Sequence, residues 1–191
     1  MKKLLSFIII GGLLTCTAVS CGGSEKTGYA AIAEKATPAE QAEEAVRQYT
    51  VTTYNGDFDT NIELTYPKDM IPPMKEAGTF DALQETLTNI KETTKLKKMS
   101  ISDETELSEQ ALRGAGLYFN SVCSLLDLEK VDYNITAGYT MKTQKKIKYN
   151  GKTSNKEAQL SAVLIEGDGW KVITMDEAEL ADTAEKYGKK N

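Results

Sequence analysis

The sequence predicts an α+β domain in which N-terminal helices pack on a curved antiparallel sheet that ends in a three-stranded meander. Three observations carry this. In the first half of the chain apolar residues recur at helical spacing, most clearly at Phe80, Leu83, Leu87 and Ile90. From residue 131 the period changes to two: Val131, Tyr133, Ile135, Ala137, Tyr139 and Met141 alternate with Asp132, Asn134, Thr136, Gly138 and Thr140. Further on stands Asn150–Gly151, the dipeptide best suited to the positive φ angles of a two-residue hairpin turn.

The head of the chain reads as an export signal. Lys2 and Lys3 precede an apolar run of about a dozen residues, the length of a signal-peptide core and short of the roughly 20 residues a membrane-spanning helix needs. "AVSC" at residues 18–21 resembles a bacterial lipobox. That resemblance implies cleavage between Ser20 and Cys21 and a diacylglycerol on the Cys21 thiol, which anchors the protein to a membrane of the cell envelope. Ala18 stands where that family has Leu, and Cys16 fits less well because Leu14 and the bulkier Thr15 precede it. An ordinary signal peptide, with Cys21 a plain thiol, is the alternative. The expected division is residues 1–20 signal peptide, 21–36 lipidated cysteine and flexible linker, 37–176 folded domain and 177–191 a tail with a short helix.

Composition narrows the partners. Loss of residues 1–20 leaves 171 of the 191 residues, one domain's length, and takes Lys2 and Lys3 from a net charge of −5, giving −7. An acidic chain lacks the surplus of Lys and Arg that nucleic-acid binding needs. With Cys21 acylated, Cys123 has no intramolecular partner, and its apolar neighbours in "YFNSVCSLLDL" read it as a small buried hydrophobe.

The elements follow in order. "TPAE" opens a helix with Thr37 as N-cap, Pro38 in the first turn and Glu40 closing a capping box; Ala42, Val46, Tyr49 and Thr53 mark one face. Gly56 stops it and Asp57 caps a second short helix carrying Phe58, Ile62 and Tyr66. The Pro72–Pro73 pair predicts no regular structure over residues 67–78. A helix from Thr79 to about Lys97 follows, with Lys95, Lys97 and Lys98 at its negative end. Met99 and Ile101 alternate as a strand. Ser108 caps a helix with Ala111, Ala115, Tyr118, Phe119 and Val122 inward, weakened by Gly114 and Gly116.

The meander comprises residues 131–149, 157–166 and 170–175. A two-residue turn at Asn150–Gly151 sets Tyr139 opposite Ala162, Met141 opposite Leu160 and Ala137 opposite Leu164, apolar facing apolar throughout. A three-residue loop ending at Gly169 sets Leu164 opposite Val172 and Ala162 opposite Thr174, with Trp170 on the same inner face. Val163, Ile165, Ile173 and Met175 occupy the outer face. They are too apolar to stay wet, so either the tail helix or a second subunit in a homodimer covers them.

Helices first, then a long sheet ending in "GDGWKVI", with the opening "EEAVRQYTVTTYNGDFDTNIEL", resemble the nuclear-transport-factor-2-like, cystatin-like cone over residues 37–176, in its lumazine-binding-like group. The resemblance implies a conical pocket between sheet and helices, lined here by Tyr49, Tyr133, Tyr139 and Trp170. The extra strand and helix between Met99 and Leu126 depart from that pattern. Family enzymes place carboxylates and a Tyr in the pocket, but a shared fold does not carry chemistry over.

The chain has no histidine, which removes Ser-His-Asp and Cys-His arrangements, His metal sites and the usual neutral-pH base. "DFDTNIE" at residues 57–63 mimics a calcium loop but has Ile62 at its glycine position and Lys68 at its last ligand position. No metal, cofactor or catalytic residue is predicted. The lysines of "KTQKKIKYNGK" either guard an edge hairpin or touch anionic lipid or polysaccharide. The expected function is a non-catalytic, membrane-anchored envelope lipoprotein binding a small apolar ligand or another envelope protein. A carboxylate-and-Tyr enzyme in the same pocket is the alternative.

Overall fold

In the computed structural model, residues 28–188 are described; the expected signal peptide, Cys21 and the first part of the expected linker lie outside them. The capping signals act where the residues place them. The Thr37 side chain accepts from the Glu40 N–H while Glu40 accepts from the Thr37 N–H, opening a helix over Pro38–Asn55, and Gly56 ends it at φ 76°. Asp57 caps Phe58–Thr65 through the Thr60 N–H. In chain order the helices are α1 (Tyr29–Ala33), α2 (Pro38–Asn55), α3 (Phe58–Thr65), α4 (Ile71–Glu76), α5 (Thr79–Thr93), α6 (Glu109–Leu125) and α7 (Glu177–Tyr187). The strands are β1 (Thr94–Glu106), β2 (Ile135–Tyr149), β3 (Lys152–Ile165) and β4 (Gly169–Ile173), one antiparallel sheet in the order β1-β2-β3-β4.

Three layers result. On the inner face Met141, Leu160, Ala162, Trp170 and Val172 pack against Ala42, Ala45 and Val46 of α2, with Ile32 and Leu64 at the margin. On the outer face Val163, Ile165 and Ile173 pack against Ala111, Ala115 and Phe119 of α6 and Leu180 of α7. A third cluster joins Met70 and Met74 around α4 to Cys123, which is a buried free thiol.

The β2–β3 register is the expected one, from Ala137 opposite Leu164 to Tyr149 opposite Lys152, closed by Asn150 and Gly151 at φ 45° and 83°. The β3–β4 register differs. Leu164 faces Trp170 and Ala162 faces Val172, so the loop is residues 166–168 and the pairing is displaced by two. Two residues are one pleat, which leaves every side chain on its expected face.

Other elements depart further. Residues 131–134 are not strand. β1 extends along β2 only as far as Tyr139, and the ladder with β3 ends at Ile135; beyond it the Glu166 N–H donates to the Asn134 carbonyl at 2.9 Å, but residues 131–133 join no strand ladder. Val131 is exposed instead, its N–H held by Asn120 Oδ1 at 2.9 Å. Residues 71–76 form α4 despite Pro72 and Pro73. Both lie in its first turn, where N–H groups have no helical partner to lose. Helix α5 ends at Thr93, because residues 94–98 pair with β2; Lys95, Lys97 and Lys98 therefore lie on a strand, not at a helix end. Of the expected α5 stripe only Leu87 is buried. Tyr29–Ala33, expected within the linker, is a helix with Ile32 in the core.

The outer apolar face is closed from within. The tail forms α7, and its Leu180 and Ala184 are buried while Tyr187 is exposed. Val163, Ile165 and Ile173 are buried and Met175 packs beside them, so of the two covers expected for this face, the tail helix or a second subunit, the structure has the tail helix, α7, together with α6. The two helices meet at Gly114, where a Cβ would stand 1.8 Å from the Leu180 carbonyl oxygen; at Gly116 it would meet only Ile135 Cδ1, at 3.9 Å. Gly114→Ala is therefore expected to lower unfolding free energy by about 3 kcal/mol or more by forcing α7 away. Gly116→Ala is expected to raise it by up to about 1 kcal/mol through helix propensity. Urea unfolding of the two variants checks the contrast.

Candidate functional site

Of the four residues expected to line a pocket, three come together. Trp170 is 2% exposed and belongs to the inner cluster with Tyr49 and Tyr139 packed against it. The Tyr139 and Trp170 rings lie 6.2 Å apart, and Trp170 Nε1 donates to Gln41 Oε1 at 3.1 Å. Burial raises the pKa of Tyr49, with Tyr66 and Tyr54 adding to it. Burial also raises that of Tyr139, followed by the carboxylates of Glu106 and Glu104. Both phenols thus keep their protons at neutral pH. The space between α2 and the sheet is occupied by the side chains of the inner cluster.

Tyr133 lies elsewhere, in the stretch before β2, with its ring edge-on to Phe119. Its hydroxyl donates to Asp69, 3.0 Å from Oδ2, and stands 3.7 Å from Cys123 Sγ. Burial, then these two neighbours, hold its proton well above the ordinary tyrosine range. Two of the would-be calcium ligands are held by the fold: Asp57 caps α3, and Asn61 Nδ2 lies within hydrogen-bond distance of the Tyr49 carbonyl and the Thr52 and Thr53 hydroxyls. Among the described residues no three His, Cys, Asp or Glu side chains gather as a metal site.

A buried lysine at the free edge of the sheet is the first feature that sequence patterning missed. Lys171 of β4 is fully buried. Its ammonium donates to the Tyr29 hydroxyl and to the Glu63 carbonyl at 2.9 Å. It also forms an ion pair with Asp168 Oδ1 at 2.9 Å and lies 3.4 Å from the Asp168 carbonyl oxygen. Asp168 Oδ2 takes the Lys68 N–H at 2.8 Å. The Tyr29 hydroxyl lies within hydrogen-bond distance of the Glu63 and Trp170 carbonyls, at 2.9 and 3.3 Å. Desolvation lowers the Lys171 pKa against the opposing pull of Asp168, and desolvation with Asp168 raises that of Tyr29. The only sequence signal was Lys171 itself, set at a core position between Trp170 and Val172.

A second feature, of which the sequence showed the charges but not their arrangement, is a lysine field. Residues 94–101 of β1, 142–149 of β2 and 152–156 of β3 hold three, four and two lysines and no carboxylate. Register places Lys98 opposite Lys146, Lys95 opposite Lys148 and Lys145 opposite Lys156. Like charges in such positions repel. Lys142 is paired with Glu157 at 3.0 Å, and burial lowers the pKa of the half-buried Lys145. On the outer face an open depression of about 590 Å³ is lined by Lys97, Lys98, Lys146, Lys148, Gly151 and Thr153. A second depression, about 600 Å³, runs along the exposed side of α5 beside Asp81, Glu85 and Glu92. Neither lies between α2 and the sheet.

Comparisons of the chain with protein-family models, with curated proteins and with solved structures find no match.

Lys171→Met is expected to lower stability by about 3 kcal/mol, since it leaves Asp168 facing a methyl group. Adding Asp168→Asn is expected to cost less than the two single losses combined. The pH dependence has a definite sign. Between the lowered folded pKa of Lys171 and its ordinary 10.5 the unfolded chain binds more protons, so wild-type stability gains as pH rises through that window. Tyr29 acts oppositely above its ordinary 10.0. Denaturant melts across that window are expected to show a larger gain in the wild type than in Lys171→Met, where Lys145, its pKa also lowered by burial, still contributes.

Proposed function

We propose that this protein is an envelope lipoprotein, tethered to the membrane through Cys21, whose nuclear-transport-factor-2-like α+β domain is non-catalytic and works through its surface. The observation that carries the reading is the filled interior: Trp170, Met141, Leu160 and Val172 meet α2 side chain to side chain, leaving the inner face committed to the core. The buried side chains packed there favour docking of another envelope component over binding of a small apolar ligand. The family assignment draws on α2 and α3 followed by a long antiparallel sheet, and β1 with α6 is its departure from the family pattern.

The competing reading, a carboxylate-and-Tyr enzyme, draws on the contact of Tyr133 with Asp69. It is the weaker one. Tyr133 holds its proton through neutral pH, so it could donate but not abstract, and the contact ties the turn before α4 to the stretch before β2.

Two measurements on the full chain test the preferred reading. Cys21→Ser is expected to move the protein from the membrane to the soluble fraction and to remove the acyl mass; retention in the membrane overturns the tether. Native mass spectrometry of the detergent-purified protein is expected to show no co-purified apolar molecule beyond the anchor. A stoichiometric one overturns the surface-acting domain.

A further inference from the structure

We infer that the outer-face lysine shelf is a binding surface for a linear anionic polysaccharide. The inference names a partner for the surface-acting domain and rests on the proposed envelope location for where such a polymer is met. Five exposed lysines, Lys95, Lys97, Lys98, Lys146 and Lys148, converge there from two strands. None is within ion-pair reach of a carboxylate among the described residues, whereas the neighbouring Lys142 has Glu157. Two cross-strand pairs, Lys98 with Lys146 and Lys95 with Lys148, set ammonium groups opposite each other about 5 Å apart at the backbone. Guarding a sheet edge explains one or two lysines on an outer strand, but β2 is an inner strand of this sheet, paired on both sides along this stretch. An arrangement that repels itself in the free protein is relieved by an anion that spans the pairs.

Shape selects the kind of anion. Helices α6 and α7 cover the other half of the same face over Val163, Ile165 and Ile173. A helix is about 10 Å across, so the lysine stretch is a shelf set back beside them. A flat bilayer is held off by the helices before it meets the shelf, while a single polymer chain can lie along it. The two lysine pairs stand roughly 7 Å apart along β2, in line with the strand, so a polymer carrying charges along its length can meet both. Position agrees. α1, where the described chain begins, sits against β4 near the 166–168 loop, and the shelf lies at the opposite end of β3. That strand's 14 residues extend about 45 Å, beyond the roughly 25 Å that the seven residues from Cys21 to Gly28 can span. The shelf thus lies at the far end of the domain from the point where a tether would join it.

The test uses the detergent-purified full chain, fluorescently labelled polygalacturonate as probe and neutral dextran as control. Wild type is expected to bind polygalacturonate at low salt, to release it in about 0.5 M NaCl and to ignore dextran. Replacing Lys95, Lys98, Lys146 and Lys148 together by Gln is expected to weaken binding tenfold or more, while the same four changed to Arg retain it. The Gln variant relieves repulsion, so its melting temperature is expected to equal or exceed that of wild type, which separates lost binding from lost folding. Equal binding by wild type and the Gln variant, or no binding by wild type, overturns the inference. So does binding to phosphatidylglycerol vesicles or DNA in place of the polysaccharide. Low-salt self-association through the acidic side of α5, with no polysaccharide bound, assigns the shelf to a second copy and overturns it too. Because the probe is added in solution, these outcomes do not depend on Cys21: the shelf can fail with the tether intact, and the tether can fail with the shelf intact.

Discussion

The pairing of β2 with β3 is the constraint on which the rest of the structure depends. Asn150 and Gly151 set one register from Tyr149–Lys152 to Ala137–Leu164, with a shift only between Ala137 and Ile135. That register decides which side chains meet α2 and which meet α6 and α7. A slip of one residue would turn Met141 and Leu160 outward and bring Thr140 and Gln159 into the core. It also decides the electrostatics of the far end. The parity that sends Val163 to the outer layer sends Lys146 and Lys148 to the same face, beyond the helices. One turn thus sets both the hydrophobic sandwich and the charged shelf beside it.

Where neighbouring residues settle an element among themselves, the sequence was sufficient. The capping box at Thr37 and Glu40, the stop at Gly56, the cap at Asp57 and the Asn150–Gly151 turn are local hydrogen-bonding or dihedral requirements. The faces of β3 and β4 were legible even though the loop between them was displaced, because the pleat forgives a shift of two. Tyr49, Tyr139 and Trp170 could be grouped on the same ground.

What could not be read depends on partners remote in sequence. Residues 94–97 have the composition of a helix end, and only the presence of Ile147–Tyr149 alongside makes them strand. Residues 131–134 have the alternation of a strand, yet only Asn134 finds a backbone partner across from it, in Glu166. Tyr29 lies in a small, polar stretch, yet it meets β4 some 140 residues later. Lys171 follows the same rule. A charged residue at a core position reads as an error in the pattern until Tyr29, Glu63 and Asp168 are seen to converge on it. The lysine shelf is intermediate: its charges were visible, but their opposition across strands needed the β1–β2 register.

The attachment of α1 to β4 has a mechanical consequence. Any traction on the chain ahead of Gly28 enters the fold at Tyr29, and there it meets the Glu63 and Trp170 carbonyls and the buried ammonium of Lys171. These contacts sit on the outermost strand, where load would otherwise peel the sheet open one hydrogen bond at a time. The cluster spreads that load over α3 and the 166–168 loop as well. α1 therefore serves as a strain relief, and the long β2–β3 ladder behind it is shielded from pulling.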